Sequence, residues 1–291
     1  MPELPEVQTV CNYLIKENLI GSKILSAIVK WPRIIHGMKQ DEFTSKIKNR
    51  RIVGIQRRGK YIHILLDKKL HLFIHLRMSG RLNLESPPQE PQPHEHVILF
   101  LDKNRCLKYH DTRKFGRWDL TQTPDLVIGH LGIEPLTLKF DANYLFELSQ
   151  KSKKCIKPFL LDQRNIAGIG NIYADESLFL SGIHPETPSN KISFEKIDRL
   201  QQAIKDVLNQ GLQNLGTTLG TGKANFYSVS RKGGKNKDRL NVFRRENENC
   251  YICGNQIIKL VVAQRGTHIC PTCQIKPKCI QKKRRFKNRL K

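Results

Sequence analysis

The sequence predicts an α+β multidomain chain: an N-terminal helix running into a β-sandwich, a helical second domain, and a C-terminal β-hairpin clasped by four cysteines. Three observations predict it. Apolar residues switch from helical spacing to strand alternation near residue 22. They return to helical spacing near residue 137, and two Cys-x2-Cys pairs follow at 250–253 and 270–273. The expected boundaries are 1–134, 135–245 and 246–275, with a basic, disordered tail over 276–291. A chain of 291 residues suits two domains and a small appendage.

Each element has its own signal. Val7, Val10, Cys11, Leu14 and Ile15 form a helix face, Pro5 suits the first turn, and Gly21 is expected to end the run. From 22 to 120, KILSAIV, RIVGIQRRGKYIHILL, HLFIHLRMSGRLNL, HVILFL and RCLKYHD alternate and are rich in β-branched residues, which predicts a sandwich or barrel of antiparallel strands. ESPPQEPQPHEH is a Pro-rich surface loop, and a hinge is expected near 121–136. ANYLFELSQ, KPFLLDQ, NIYADESLFL and SFEKIDRLQQAIKDVLNQGLQNL are the candidate helices of the second domain. Residues 217–245 are loop-like and basic.

Cys250, Cys253, Cys270 and Cys273 have the spacing of a tetrahedral zinc site, because each pair places two thiolates on one side of the ion. Two disulfides or chance spacing is the alternative. Between the pairs, QIIKLVVAQRGTHI predicts two short strands around a turn at Arg265-Gly266. Four thiolates leave no open position, so one structural zinc is expected. Cys11, Cys106, Cys155 and Cys279 are most simply packing or incidental thiols.

Charge names a partner class. Lys and Arg number 51 against 26 Asp and Glu, a formal +25, and a polyanion, nucleic acid by default, is the expected partner. No apolar run reaches the roughly 18–20 residues of a membrane span. MPELPEVQTV lacks the apolar stretch of a signal peptide, so neither membrane nor secretion is expected.

Several constellations could carry chemistry. With Met1 removed, Pro2 would offer a secondary amine titrating near about 8, neutral often enough to attack a sugar carbon and form an imine. Glu3 lies beside it and Glu6 one turn on; an ordinary Pro-rich helix start is the plainer alternative. Arg57-Arg58-Gly59-Lys60-Tyr61 is a cationic hairpin turn, functional or merely solvated. HLRMSG and DTRKFGRW place Met78, Arg113 and Phe115 in loops, either as core residues or as wedges between base steps. RNIAGIGNIYADE is a Gly-rich turn between two helices whose backbone N–H groups and Asn171 suit a phosphate oxygen. The third glycine of a dinucleotide fingerprint is missing, and a helix precedes the turn where that fingerprint has a strand.

In order, PELPEV, RRGKY, HLRMSG, DTRKFGRW, IKPFLLDQRNIAGIGNIYADESLF, GTTL and the four-cysteine finger resemble the formamidopyrimidine-DNA glycosylases, bacterial base-excision repair enzymes for oxidised purines, up to about residue 275. The resemblance implies a helix-two-turn-helix second domain and a bifunctional glycosylase and lyase. Pro2 would be the nucleophile, Glu3 the acid/base, Glu6 a further catalytic or structural carboxylate, and Lys60 a phosphate-binding lysine. Met78, Arg113 and Phe115 would fill the gap left by the everted base. Asn171 and Arg265 would clamp phosphates, and the four finger cysteines would hold zinc. It implies a monomer acting on double-stranded DNA with oxidised bases, cytoplasmic and nucleoid-associated. An endonuclease VIII-like enzyme for oxidised pyrimidines, or a silent DNA-binding relative, is the alternative. The stretch after GTTL, GTGKANFYSVSRKGGKNKDRLNVF, departs from the family's Arg-Asp-Phe-like segment. In the family that segment covers the everted base.

Overall fold

The computed structural model describes residues 1–218 and 233–277. Residues 219–232 of the expected base-covering loop, and the tail from 278 with Cys279, lie outside the described residues.

The first helix, α1 (Leu4–Lys16), starts at a reciprocal cap in which the Glu3 N–H donates to Glu6 Oε2 at 2.8 Å. It ends before Gly21. Glu17 caps it and Asn18 takes a φ of 54°, a left-handed conformation that asparagine tolerates, so Gly21 (φ 90°) serves the next turn. Then come β1 (Ile24–Val29), β2 (Ile35–His36), α2 (Gln40–Ile47), β3 (Ile52–Arg58), β4 (Tyr61–Leu66), β5 (Leu70–His75), β6 (Arg81–Glu85), β7 (Glu95–Leu101), β8 (Arg105–His110) and β9 (Arg117–Thr121). They form two sheets, β1-β7-β8-β6 and β2-β9-β5-β4-β3.

Two features correct the expectation. α2 interrupts the strands, since Asp41 and Glu42 favour its first turn and Phe43 and Ile47 bury one stripe. β2 runs parallel to β9, so the sandwich is not wholly antiparallel. Between the sheets, Trp118 meets Phe43 and Tyr109 edge-on at 6.3 and 5.6 Å.

A short α3 (Asp125–Ile128) occupies the expected hinge, and α4 (Ala142–Gln150), α5 (Ile156–Leu161), α6 (Asn171–Leu180) and α7 (Phe194–Gln213) follow. Ile197, Leu200, Ile204, Val207 and Leu208 of α7 face a second core. Leu4 belongs to that core, whereas Val7, Val10, Cys11 and Leu14 of the same helix belong to the sandwich core. The last hairpin pairs β10 (Ile258–Val262) with β11 (Arg265–Ile269). Its turn is Ala263-Gln264 (φ 46° and 61°), two residues earlier than expected, so Arg265 opens β11 opposite Val262. Among the described residues no helix is long and apolar enough to cross a membrane.

Candidate active site and metal centre

The N-terminus of α6 is aimed at Glu3. The Gly170 and Ile172 N–H groups donate to its carboxylate at 2.8 and 2.9 Å, with Tyr173 N–H at 3.4 Å. These are donors that a helix start leaves without partners, and the helix dipole favours a negative charge there. Burial nevertheless pushes the Glu3 pKa up, while Lys60 and the α6 amides hold it down. Gly170 leaves just enough room, since a Cβ there would lie 2.3 Å from Glu3 Cδ.

Glu6 is buried behind it. Its carboxylate accepts from Glu3 N–H, Tyr173 Oη at 2.8 Å and Thr217 N–H at 2.7 Å. Burial, then the neighbouring Glu3, raises its pKa to about 7. It therefore ties α1 to α6 and to the stem of the 217–235 segment. The α-amine of Met1 is pulled below its ordinary pKa chiefly by burial; Lys60 and Arg244 add to this and the two glutamates oppose it. Pro2 is buried between Met1 and Glu3.

Lys60 lies in the β3–β4 turn and is itself buried, which lowers its pKa against the pull of Glu3 and Glu6. The arginines beside it have another job. Arg57 and Arg58 pair with Glu134 at 2.6 and 2.9 Å, and Gly59 N–H donates to the same carboxylate at 2.6 Å. They strap the turn to the segment that joins the two domains and leave Lys60 as its cation towards the site. His75, opposite Tyr61 in β5, is a residue the sequence reading passed over within HLRMSG. Burial and the cations Arg77, Lys60 and Arg117 lower its pKa to about 3. Arg77 N–H donates to its Nδ1 at 3.0 Å, so the neutral ring carries its proton on Nε2.

Met78, Arg113 and Phe115 converge. Met78 is 45% exposed and Phe115 51%, which removes the core reading. Arg113 lies between them, 3.1 Å from Met78 Sδ and 4.7 Å from the Phe115 ring centroid. Asp111, also passed over, organises both loops. It accepts from Ser79 Oγ and from the N–H groups of Arg113, Phe115 and Gly116 at 3.1, 2.9 and 2.8 Å. Gly116 is required by space, because a Cβ would fall 1.8 Å from Tyr109 Oη.

Asn171 and Arg265 are brought together by the hairpin. Asn171 Nδ2 donates to Gly266 O at 2.9 Å, leaving one amide hydrogen for a ligand. Lys157, fully buried, donates to the same carbonyl and to Thr267 Oγ1 at 3.0 and 2.8 Å and pairs with Asp175 at 2.6 Å. Arg265 is exposed one residue away, and its charge reaches Lys60.

The four sulfurs of Cys250, Cys253, Cys270 and Cys273 lie within 4.8 Å of one another, with pairs at 3.9 and 3.4 Å. Zn–S bonds of about 2.3 Å in a tetrahedron put sulfurs about 3.8 Å apart, and a disulfide needs about 2.05 Å. The set fits one four-coordinate zinc, and the disulfide alternative fails on distance.

The comparisons agree with this geometry. Residues 1–118 match the formamidopyrimidine-DNA glycosylase N-terminal domain, 131–222 that glycosylase's H2TH domain, and 248–275 a zinc finger found in FPG and IleRS. The formamidopyrimidine-DNA glycosylase of Protochlamydia amoebophila is 41% identical over 276 residues, covering 95% of this chain and all of that one. That of Lactiplantibacillus plantarum is 42% identical over 275 residues, covering 93% and 98%. Among solved structures, Lactococcus lactis Fpg with abasic-site DNA superposes with a TM-score of 0.86 at 36% identity, covering 94% of this chain and 100% of that one. The same protein with Fapy-dG DNA gives 0.85 at 35% identity with the same coverage. With three domain models in register and relatives matched from end to end, the chain belongs to the formamidopyrimidine-DNA glycosylase family.

Proposed function

We propose that the chain, as a monomer, removes oxidised purines from double-stranded DNA and then cuts the strand, with Pro2 as nucleophile once Met1 is gone. The observation that carries this is the burial of Pro2 next to Glu3, whose carboxylate is fixed by the α6 amides. A base inside a duplex is out of reach, so it is everted at a cost of a few kcal/mol. Met78, Arg113 and Phe115 replace the lost stacking. Lys60, Asn171, Arg265 and the Nε2–H of His75 hold the bent backbone at its phosphates.

The neutral amine then forms a bond to C1′ as the base leaves with the glycosidic electron pair. The Glu3 carboxylate takes the proton that the amine gives up and returns it to the ring oxygen as the C1′–O4′ bond breaks, and the product is an iminium. Loss of a C2′ proton expels the 3′ phosphate, and a second elimination expels the 5′ phosphate. Zinc, held by the four cysteines, supplies structure and no reactive position.

The test is a nicking assay on duplexes carrying 8-oxoguanine, formamidopyrimidine or thymine glycol, with borohydride trapping. Cleavage of the purine lesions and a trapped complex abolished by Pro2→Gly are expected. Preference for thymine glycol would assign the chain to the pyrimidine branch. Trapping that survives an extra residue ahead of Pro2 would overturn the amine mechanism.

A further inference from the structure

Two cations converge on one tryptophan beside the Arg113 loop. Lys114 Nζ lies 4.2 Å from the Trp31 ring centroid, and the Arg33 guanidinium carbon lies 5.6 Å from it. Neither has a carboxylate partner among the described residues. The ring is fixed from below. Trp31 packs against the sandwich core and caps the single turn Pro32–Ile34, and the Lys30 N–H before it donates to His96 O at 2.8 Å.

The loop has its own anchor. The Asp111 carboxylate takes the N–H groups of residues 113, 115 and 116 and passes over 114. Lys114 adopts a φ of 57°, a conformation uncommon outside glycine. Arg113 and Phe115 flank it in sequence, so Lys114 shares the apex of the loop with both. A cation over an indole face is the strongest arrangement of this kind, and it is directional in a way a solvated lysine is not.

We infer that Trp31 is a positioning residue for the wedge: by holding Lys114 over its ring, it sets the direction in which Arg113 and Phe115 project. The discrimination between bases facing the lesion follows from that direction. The inference rests on the reading of Met78, Arg113 and Phe115 as a wedge, and the experiment separates the two.

The measurement is binding, by fluorescence anisotropy, to duplexes carrying a non-cleavable tetrahydrofuran site opposite cytosine or adenine. The ratio of the two affinities is compared among variants. Trp31→Leu and Lys114→Gln should each lower the ratio by about two- to fivefold, the size of one solvent-accessible cation–π contact. The double variant should do no more than either alone. Trp31→Tyr and Lys114→Arg should retain most of it, a rescue that mere packing would not show. Trp118 is fully buried and Trp31 is the other tryptophan of two, so Lys114→Gln should also shift the solvent-sensitive part of the emission without DNA.

Additive effects, or Lys114→Gln weakening both duplexes equally while Trp31→Leu changes nothing, would make Lys114 a plain phosphate contact and overturn the inference. If the unaltered protein binds the abasic analogue no better than intact duplex, the wedge reading itself fails.

Discussion

Replacing Gly170 by alanine would place a methyl carbon 2.3 Å from Glu3 Cδ, so the carboxylate would leave the α6 amides. A displacement of about 1 Å in such a constellation costs on the order of 100-fold in rate. Gly170→Ala should therefore lose about that factor in single-turnover nicking while zinc content and far-UV circular dichroism stay unchanged. A loss below threefold would show that Glu3 tolerates the shift. Asp111→Ala would leave three backbone N–H groups and the Ser79 hydroxyl without their acceptor. Buried donors left unpaired cost about 1–3 kcal/mol each, and partial rehydration of an edge loop brings the total towards about 3 kcal/mol. A urea midpoint equal to that of the unaltered protein would contradict the organising role. Both roles differ in legibility. The four cysteines stand out because their spacing is local in sequence, whereas the roles of Pro2 and Glu3 are implied by the family resemblance. Asp111 and Lys157 do not stand out, because their partners lie 32 and 110 residues away at Ser79 and Thr267.

At the scale of elements, α6 is a polar hub inside an apolar domain. Its first amides hold Glu3 and its Tyr173 holds Glu6. Asp175 holds Lys157 and the His268 N–H, and Glu176 accepts from the N–H groups of residues 241–243. Helical spacing marks the element in the sequence, but not this division of labour, since all four contacts are tertiary. The hairpin shows the opposite limit. Arg-Gly reads as a turn, yet Gly266 is held in β11 by Asn171 and Lys157, which fixes the turn at Ala263-Gln264. Few apolar residues hold this element, mainly Val242, Phe179 and Ile257 around the cysteines. Metal binding is then its folding energy. Removing zinc with a chelator should strip hydrogen-exchange protection from 258–269 and weaken lesion binding, while amides of β3–β5 stay protected. Retained protection in the hairpin would mean that the side-chain contacts suffice without metal.

For the whole molecule, acid is the revealing variable. Burial lowers His63 and His110 to about 4 and His75 to about 3, so each stays neutral in the fold. Their stabilisation is complete above the unfolded value near 6.5 and is lost as pH falls towards 4. Glu6, raised to about 7, acts oppositely, its stabilisation being present at low pH and lost as pH rises through 7. Between pH 7 and 5 the unfolded chain takes up most of a proton at each of those histidines and at His96 and His184, which burial also lowers; this outweighs the uptake by the fold at Glu6 and at the buried Glu3 and Glu176, so stability should drop. Urea midpoints at the two pH values, with zinc in excess, check this; an equal or higher midpoint at pH 5 would refute it. The membership of Leu4 in the helical core, with Glu3 on the α6 amides, has a consequence for synthesis. At about 5–20 residues per second, roughly 10–30 s separate emergence of the first residues from that of α6. During that interval Glu3 and Leu4 lack their partners in the helical domain and the residues before them are open to an aminopeptidase, whereas the finished fold buries Pro2 and Glu3. On the proposed mechanism the nucleophile can thus be unmasked on the nascent chain, before the α6 amides that fix Glu3 exist.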